Sequence, residues 1–570
     1  MIPFSIKGYR AWSRWLVAVC LSVLVLGCDS IKVTRYYESG VVATTSPIAS
    51  EVGRRVFVGG GNAFDVAVAV GFTLAVVYPQ AENLGGGGFA LIHEGETGRV
   101  RSLDFRETAP RAATEPMYLD EDGEVTTGLS TYGARACAVP GSVAGLRKLW
   151  EKRGALSWDY LVGIAAKLAD TGFLIDEYLA EALASYSDQL QGFPETADIF
   201  FPNGRLLKAG DRLIQKDLAA TLQAIAEKGP DAFYRGEIAA LIDSCMIRHD
   251  GLITCADLED YAPVWRETVH FKYGSLDIYS MPPPSSGGIM MGQILKILEP
   301  YNFSLFTPES PEYIHLFCEA ARLAFADRSA HLGDPDYFEI PSGLLEESYL
   351  AERRKMIVER RAGSSEQIQP GNPGHHESEQ TTHYSICDSS GNMVAVTTTI
   401  NSTFGCKLVV AGAGFLLNNE MDDFSIKPGF PNLYGLVGGE VNKIEPGKRM
   451  LSSMAPTLIL KDEKPFLITG SPGGSRIITT VAQSILNYTQ LGLTLAETVA
   501  QPRFHHQWLP DMIYLEEGKF HISTKQALIR YGHNIRERPP FGDLQMIAVD
   551  PSGLMEGASD PRHGGAVSGY

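Results

Sequence analysis

A strand hairpin with a fixed register is the feature of this sequence that most restricts its fold. Thr382 to Asp388 and Asn392 to Asn401 have the β-branched and aromatic content of strands, and Ser389-Ser390-Gly391 lies between them. A three-residue loop that ends in Gly fits a type I turn followed by a left-handed residue. The register then pairs residue 388 with residue 392, so paired residue numbers sum to 780.

This register has a consequence for the residues just before the hairpin. It places Thr381 opposite Thr399, on one face of the sheet, with Cβ atoms about 5 Å apart. We therefore expect Thr399 to lie within hydrogen-bonding reach of the Thr381 hydroxyl. A register slip of one residue would break this pairing.

The segment before the hairpin has a different composition. Arg361 to Gln380 is rich in Gly, Pro, Ser, Glu and His and lacks apolar periodicity, which predicts an exposed, flexible loop. A cut between Gln380 and Thr381 would give Thr381 a free α-amine beside its own hydroxyl, so that base and nucleophile share one residue. On local pattern alone, a Thr-Thr pair is more often a β-branched surface pair.

The rest of the chain alternates between helical and strand patterns, with no internal repeat. Apolar periodicity and turn residues predict the following elements: a buried helix at Asn62 to Tyr78, strands at Phe89 to His93, Val100 to Phe105 and Leu276 to Met281, a mostly helical stretch from Trp158 to Leu183, and helices at Ile289 to Leu298 and Pro311 to His331.

Composition and charge exclude several classes of protein. The chain is 44% hydrophobic and 20% charged, as in ordinary globular proteins, and its net charge of −18 argues against a nucleic-acid partner. The longest apolar run after the N-terminus, Val66 to Val77, is too short to span a bilayer. A length of 570 residues usually means several domains. We expect one large core instead.

The N-terminus has the pattern of an export signal. Basic residues precede an apolar stretch from Trp15 to Leu26, and Gly27-Cys28 follows it. The pattern resembles a bacterial lipoprotein signal at residues 1–28, in which Cys28 is lipidated and anchors the protein to a membrane. An ordinary secretory signal with an incidental Cys is the alternative. Either reading predicts a periplasmic protein.

The cysteines show no metal-ligand spacing, and we predict no metal site. Cys245 and Cys255 flank a turn-like segment, so they either form a disulfide or remain isolated thiols. Cys387 lies too far along its strand to reach Thr381 and receives no role. Cys406 has no explanation at this level.

Several long motifs, in order along the chain, resemble the γ-glutamyltranspeptidase family. They span roughly residues 40 to 570 and comprise Pro79 to Phe89 (PQAENLGGGGF), Asp104 to Glu107 (DFRE), Met281 to Gly288 (MPPPSSGG), Thr381 to Ser385 (TTHYS), Leu417 to Phe424 (LNNEMDDF), Leu451 to Met454 (LSSM) and Gly470 to Arg476 (GSPGGSR).

The resemblance implies an α+β fold, the N-terminal nucleophile hydrolase αββα sandwich. It also implies that the precursor cuts itself at Gln380 and Thr381 into a large subunit, 29–380, and a small subunit, 381–570. Both subunits would contribute to one core as a heterodimer. Thr381 would first attack the Gln380 carbonyl and later attack substrate.

The family's substrate has an amino-acid end, and the resemblance assigns residues to each of its charges. Arg106, Ser452 and Ser453 would bind the α-carboxylate, since a guanidinium fork suits bidentate pairing with a carboxylate. The remaining acceptors would bind the α-ammonium: Asn401, Glu420 and Asp423.

The resemblance also assigns the oxyanion hole and the lid. Gly473 and Gly474 would donate backbone N–H groups to the oxyanion, and Tyr434 would cover the γ-glutamyl pocket from a Gly-rich lid loop.

The implied reaction is self-processing followed by γ-glutamyl transfer. Thr381 would form a γ-glutamyl ester from glutathione or another γ-glutamyl amide, and water or an amino-acid or peptide amine would accept the group. No cofactor is implied. A glutaryl (cephalosporin-type) acylase of the same fold is the nearest alternative, and a solute-binding lipoprotein on an inactive scaffold is an alternative of another class.

Overall fold

The computed structural model describes residues 35–371, 382–427, 430, 432–433 and 440–570. The chain divides into a short unit, Met1–Tyr36, and a large unit, Tyr37–Tyr570, which contains the fold. In the described part of the chain, no helix has both the length and the apolar character that a membrane crossing needs.

Two antiparallel sheets form the centre of the large unit. The first has seven strands in the spatial order Ala566–Gly569, Gly40–Thr44, Thr382–Asp388, Met393–Thr399, Gly87–Glu94, Arg99–Phe105 and Val264–Arg266. The second has six strands within this unit, in the order Met555–Ser559, Gln545–Val549, Lys464–Thr469, Thr457–Lys461, Leu276–Ser280 and Val269–Tyr273. Short strands form two smaller sheets: Phe504–His505 with Ile513–Glu516 and Ile535–Arg538, and Phe173–Leu174 with Arg212–Leu213.

Helices cover the outer face of each sheet. The helices packed on the first sheet are Pro47–Val58, Ala63–Val77, Ser142–Arg153, Trp158–Thr171, Glu177–Ser185, Ser187–Gln191, Pro194–Phe200, Lys216–Lys228, Asp231–Tyr234, Glu237–Arg248 and Cys255–Asp260. Those packed on the second are Gly287–Leu298, Pro311–His331, Glu347–Arg354, Arg476–Thr489, Leu495–Ala500 and Ile522–Tyr531.

Alternating side chains explain how the two sheets pack. In the strand Gly40–Thr44, Val41 and Ala43 face the core between the sheets, while Val42 faces the helices. The second sheet contributes residues such as Leu458 and Ile468 to the same inter-sheet core. Because strand side chains alternate, each sheet is buried on both faces. The predicted αββα sandwich is confirmed.

The predicted hairpin register is also confirmed. Thr382 pairs with Thr398, His383 with Thr397 and Cys387 with Met393, so every pair has the expected sum. The first strand has the predicted bounds, Thr382–Asp388, and Gly391 in the loop has a positive φ of 76°. Gln380 and Thr381 lie outside the described residues, so the pairing of Thr381 with Thr399 stays a prediction.

The other predicted elements agree with the structure. The helix Pro311–His331 has the predicted bounds. The buried helix Ala63–Val77 is capped by Asn62, whose side chain accepts from the backbone N–H groups of Phe64 and Asp65. Trp158 to Leu183 is mostly helical, as predicted, but forms two helices, Trp158–Thr171 and Glu177–Ser185. The first ends at Thr171 because Gly172 has a positive φ of 75°, and a two-residue strand precedes the second.

Candidate active site

Arg106 forms the centre of a buried charged cluster. It directly follows the strand Arg99–Phe105, and its side chain is almost fully buried. One terminal nitrogen lies 3.0 Å from a carboxylate oxygen of Glu420 and 3.5 Å from one of Glu107. The other donates to Asp423, and Nε donates to the Met450 carbonyl oxygen at 3.3 Å. One cation therefore faces three carboxyl groups.

Burial changes the ionisation of these carboxyl groups. Burial raises the pKa of Glu420 to about 8 and that of Glu107 to about 8, and the neighbouring Arg106 only partly opposes the shift. Burial alone would lower the pKa of Arg106, but Glu420, Asp423 and Glu107 raise it, so the guanidinium stays charged. At neutral pH the cluster holds a permanent cation and carboxyl groups that are ready to ionise.

Thr399 and Asn401 lie beside this cluster at the end of the strand Met393–Thr399. Thr399 Oγ1 accepts the backbone N–H of Asn401 at 2.7 Å, and a hydrogen bond from Thr399 lowers the pKa of Glu420. Asn401 is left-handed (φ 66°), and its Nδ2 donates to the Asn419 carbonyl oxygen at 2.9 Å. Its buried Oδ1 has no hydrogen-bond donor among the described residues. An unfilled buried acceptor is costly unless a ligand supplies the donor.

The four-glycine motif lets these segments approach one another. A Cβ on Gly86 would overlap the Thr399 carbonyl oxygen, and one on Gly87 would lie 2.7 Å from the Glu107 carboxylate. The strand that contains Gly87 pairs directly with Thr399. Glycine is therefore required here for close approach of backbone and side chain.

Ser452 and Ser453 are held by the Pro-Ser-Gly motif that precedes the helix Gly287–Leu298. The Ser452 carbonyl oxygen accepts from the backbone N–H of Ser286 at 2.7 Å and from its hydroxyl at 2.8 Å. Arg328, from the helix Pro311–His331, donates to Ser453 Oγ. Arg106 donates a hydrogen bond to the carbonyl oxygen of Met450, two residues before Ser452. This bond connects the serine segment to the charged cluster.

Gly473 and Gly474 lie in the loop between the strand Lys464–Thr469 and the helix Arg476–Thr489. Both have positive φ, 127° and 67°, which glycine adopts without strain. Neither backbone N–H donates to a described residue. The loop begins at Gly470, which packs against the ring of His383, one residue after the start of the strand Thr382–Asp388. Two N–H groups without an acceptor among the described residues therefore follow Gly470 in this loop.

The structure brings together most of the residues predicted from sequence. Arg106, Glu420 and Asp423 are in direct contact, and Thr399 and Asn401 adjoin them. Ser452, Ser453, Gly473 and Gly474 lie in the loops described above, and four predicted residues lie outside the described part of the chain: Cys28, Gln380, Thr381 and Tyr434.

The sequence did not reveal two residues of the site, Glu107 and Arg328, or the internal pairing of Arg106. Glu107 was part of a quoted motif without a role, and Arg328 was not singled out at all. Arg106 was expected to await a substrate carboxylate, whereas here it pairs with residues expected to bind the ammonium. Only the three-dimensional contact reveals this internal pairing, because the partners lie more than 300 residues away in sequence.

The thiols also differ in part from expectation. Cys245 and Cys255 are both free, so the disulfide alternative is not seen. Cys406, which had no explanation, lies beside Cys137 with the two Sγ atoms 3.4 Å apart.

A separate histidine cluster could be mistaken for a metal centre. Ligand atoms of His315, Glu319 and His533 lie within 4.8 Å of one another, and all three residues are buried. However, Glu319 already pairs with Arg322 at 3.2 Å, and His315 Nδ1 lies 2.8 Å from His533 Nε2. These contacts account for the cluster as a hydrogen-bonded core network.

The fold and the charged cluster around Arg106 define a class of enzyme. It is an αββα hydrolase whose buried site presents one cation and several carboxyl groups to one end of a ligand. Comparisons with known proteins identify the family. The family model described as gamma-glutamyltranspeptidase matches residues 49–570. The glutathione hydrolase proenzyme of Escherichia coli (strain K12) is 46% identical over 92% of this chain and 90% of its own length.

Solved structures give the same result. The cephalosporin acylase from Bacillus halodurans is 26% identical, with a TM-score of 0.84, over 100% of this chain and 99% of that chain. The gamma-glutamyltranspeptidase of Helicobacter pylori is 41% identical, with a TM-score of 0.56, over 57% of this chain and 94% of that chain. This chain belongs to the γ-glutamyltranspeptidase family. It is an autocatalytically processed γ-glutamyltransferase.

Proposed function

We propose that the enzyme takes the γ-glutamyl group of glutathione or a similar γ-glutamyl amide and transfers it to water or to an amine. One observation carries this proposal: Arg106 is paired inside the site with Glu420 and Asp423. A zwitterionic amino-acid end can replace this internal pairing with two new ion pairs, one at Arg106 and one at the carboxylates. The exchange leaves the net charge of the buried site unchanged, and each ligand charge that loses its water meets an opposite charge in the site.

The other site groups fit the same ligand. The Asn401 Oδ1, which lacks a donor, supplies a further acceptor for the ammonium. The Ser452 and Ser453 segment lies on the Met450 side of Arg106, where the substrate carboxylate would bind. The free N–H groups of Gly473 and Gly474 would stabilise the oxyanion that forms when Thr381 attacks, and such a donor is worth about 3–4 kcal/mol.

Thr381 supplies the chemistry in this proposal. Its hydroxyl attacks the Gln380 carbonyl, which moves the Gln380 acyl group from the amine to the hydroxyl oxygen. Water then hydrolyses this ester, which releases the Gln380 carboxylate and leaves Thr381 with a free hydroxyl and a free α-amine. That amine serves as the base for attack on substrate. The γ-glutamyl carbonyl becomes an ester of Thr381 and the amine of the donor leaves with a proton. Water or an acceptor amine then releases the group.

A Thr381→Ala variant tests the processing step. We expect it to remain a single chain on denaturing electrophoresis and to lack activity, whereas the wild type gives a large and a small subunit. Cleavage that persists in the variant would mean that a separate protease makes the cut.

The same fold in the Bacillus halodurans cephalosporin acylase makes glutaryl transfer the second candidate. A glutaryl group brings a negative charge without an ammonium into a site that already has more carboxyl groups than cations. We therefore expect kcat/KM for γ-glutamyl-p-nitroanilide to exceed that for glutaryl-p-nitroanilide by about 100-fold, or about 3 kcal/mol. A glutaryl preference would assign the enzyme to the acylases.

We also propose that the enzyme is exported and anchored through a lipid on Cys28. The basic and apolar pattern before Cys28 supports this location. Mass spectrometry of the mature protein should find a lipid-modified Cys28 at the N-terminus, and Cys28→Ala should release the enzyme from membranes. An unmodified N-terminus elsewhere would favour an ordinary secretory signal.

A further inference from the structure

Cys137 and Cys406 form a buried thiol pair that the reaction does not use. Their Sγ atoms are 3.4 Å apart, and the two side chains are 1% and 0% exposed. A disulfide bond is about 2.05 Å long, so the sulfurs are about 1.4 Å too far apart for a bond. Bond formation therefore needs a further approach of the two sulfurs.

The backbone on both sides of the pair is already held together. The Gly133 N–H donates to the Cys406 carbonyl oxygen at 3.0 Å, and the Cys406 N–H donates to Leu417 at 3.1 Å. Next to Cys137, the Ala138 N–H donates to Asn418 Oδ1 at 2.9 Å, and Asn418 Nδ2 returns a bond to the Ala138 carbonyl oxygen at 2.8 Å. The two cysteines are therefore positioned by hydrogen bonds and not by the thiols themselves.

In the folded chain the two buried thiols have different surroundings. Burial raises thiol pKa values, but the hydrogen bond from the Cys137 thiol, together with the positive charge of Lys407, holds the pKa of Cys406 below its usual range. Burial and the Cys406 sulfur raise the pKa of Cys137.

We infer that Cys137 and Cys406 form a disulfide that links the large and small subunits. The two residues lie 269 positions apart, on opposite sides of the proposed Gln380–Thr381 cut. After processing, this bond is a covalent connection between two separate chains. The inference rests on the proposed cut and on export to an oxidising compartment.

The oxidant is a protein or low-molecular-weight disulfide. The Cys406 thiolate attacks it to give a mixed disulfide and one released thiol. Cys137, losing its proton, then attacks the Cys406 sulfur and releases the second thiol. Two electrons pass to the oxidant, which becomes two thiols. Because both cysteines are buried in the folded chain, the bond forms during folding, before the core closes.

The bond would also stiffen the active site. Asn418, which is bonded to Ala138, accepts the Glu420 N–H through its Oδ1 at 3.0 Å. The thiol pair is therefore connected through one side chain to the segment that carries Glu420. This places the predicted disulfide behind the wall of the amino-acid pocket.

Denaturing electrophoresis with and without reductant tests the inference on protein alkylated at lysis. We expect the wild type to run as one linked species without reductant and as two subunits with it. Cys137→Ser and Cys406→Ser should each give two subunits without reductant. The matched control is Cys245→Ser, because Cys245 lies near enough to interact electrostatically with both thiols yet should leave the link intact.

The outcomes separate the disulfide from the proposed cut. Two subunits from the wild type without reductant, with Cys137 and Cys406 both alkylated, would overturn the disulfide. Loss of the link in Cys245→Ser would assign it to a different pair. A single chain in the presence of reductant would mean that the cut fails, and non-reducing peptide mapping would still show whether residues 137 and 406 are joined.

Discussion

Arg106 is the residue on which substrate selection depends most directly. Its guanidinium contacts three carboxyl groups in different directions and the Met450 carbonyl oxygen, an arrangement that uses the planar fork. A lysine ammonium is a point charge and cannot reproduce these simultaneous contacts. The site therefore requires the shape of Arg106 as well as its charge.

We predict that Arg106→Lys lowers kcat/KM for a γ-glutamyl anilide by about 100-fold or more, corresponding to about 3 kcal/mol from a broken buried ion pair. Initial-rate kinetics measures this loss. The control is Arg205→Lys, since Arg205 is largely exposed and its ion pair with Asp211 lies at the surface. Equal loss in both variants would contradict a specific role for Arg106.

Glu420 gives the enzyme a pH dependence. Burial raises its pKa to about 8 in the free enzyme, so the carboxyl is protonated at neutral pH and ionises as pH rises. The ionised form binds an ammonium better, so kcat/KM should rise with pH, by up to about tenfold per unit well below that pKa. We predict that Glu420→Gln flattens this rise.

The Thr381 amine, with a reference pKa of about 8, titrates in the same range and provides the necessary comparison. Its contribution remains in Glu420→Gln, so the difference between the two pH profiles isolates Glu420. Identical profiles for wild type and variant would show that Glu420 ionisation does not limit substrate capture.

The sequence predicted the identity of these residues better than their partners. The resemblance of the motifs to the family was enough to single out Arg106, Glu420 and Asp423. Their mutual pairing, and the contact of Arg328 with Ser453, are long-range contacts that no local pattern specifies. The same limit applied to Cys406, whose meaning depends on Cys137.

At the level of elements, local signals predicted structure wherever they were strong. The loop that ends in Gly predicted the hairpin register correctly, and apolar spacing predicted the bounds of the helix Pro311–His331 correctly. The break within the mostly helical stretch from Trp158 to Leu183 was not located, because Gly172 ends a helix there and a short strand pairs with distant residues Arg212–Leu213. A two-residue strand has too little pattern to detect without its partner.

The contact between Gly470 and His383 joins the two sheets beside the proposed oxyanion loop. A Cβ at Gly470 would overlap the His383 ring. The ring cannot move easily, because it is fully buried and hydrogen-bonded to Thr397 Oγ1 at 2.9 Å and Ser385 Oγ at 3.1 Å. Burial also lowers the pKa of His383 to about 3, so the ring stays neutral.

We predict that Gly470→Ala destabilises the protein by about 1–3 kcal/mol, as expected for overpacking, and slows self-processing. Thermal unfolding and the rate of subunit appearance measure the two effects. Gly163→Ala is the matched control, because Gly163 lies within the helix Trp158–Thr171 and a Cβ there meets nothing within 4 Å. Its stability should be unchanged or slightly increased. Normal stability in Gly470→Ala would contradict a tight sheet-to-sheet contact.

Considered as a whole, the molecule is one core made from both sides of the proposed cut. In the first sheet, Gly40–Thr44 lies between Ala566–Gly569 and Thr382–Asp388, so a strand from the large subunit has small-subunit strands on both sides. In the second sheet, Leu276–Ser280 pairs with Thr457–Lys461. Neither subunit retains complete sheets without the other, and the chain length therefore gives a poor estimate of domain number.

This interleaving predicts that the processed enzyme unfolds in one cooperative transition. Two chains that fold only together also gain stability from mass action, so the melting temperature of the processed enzyme should rise with protein concentration. The measurement needs the Cys406→Ser background, in which no disulfide joins the subunits. The uncut Thr381→Ala, Cys406→Ser double variant is the control, and its melting temperature should not depend on concentration. Two separate transitions, or a small subunit that stays folded after the large one unfolds, would show that the subunits are independent domains.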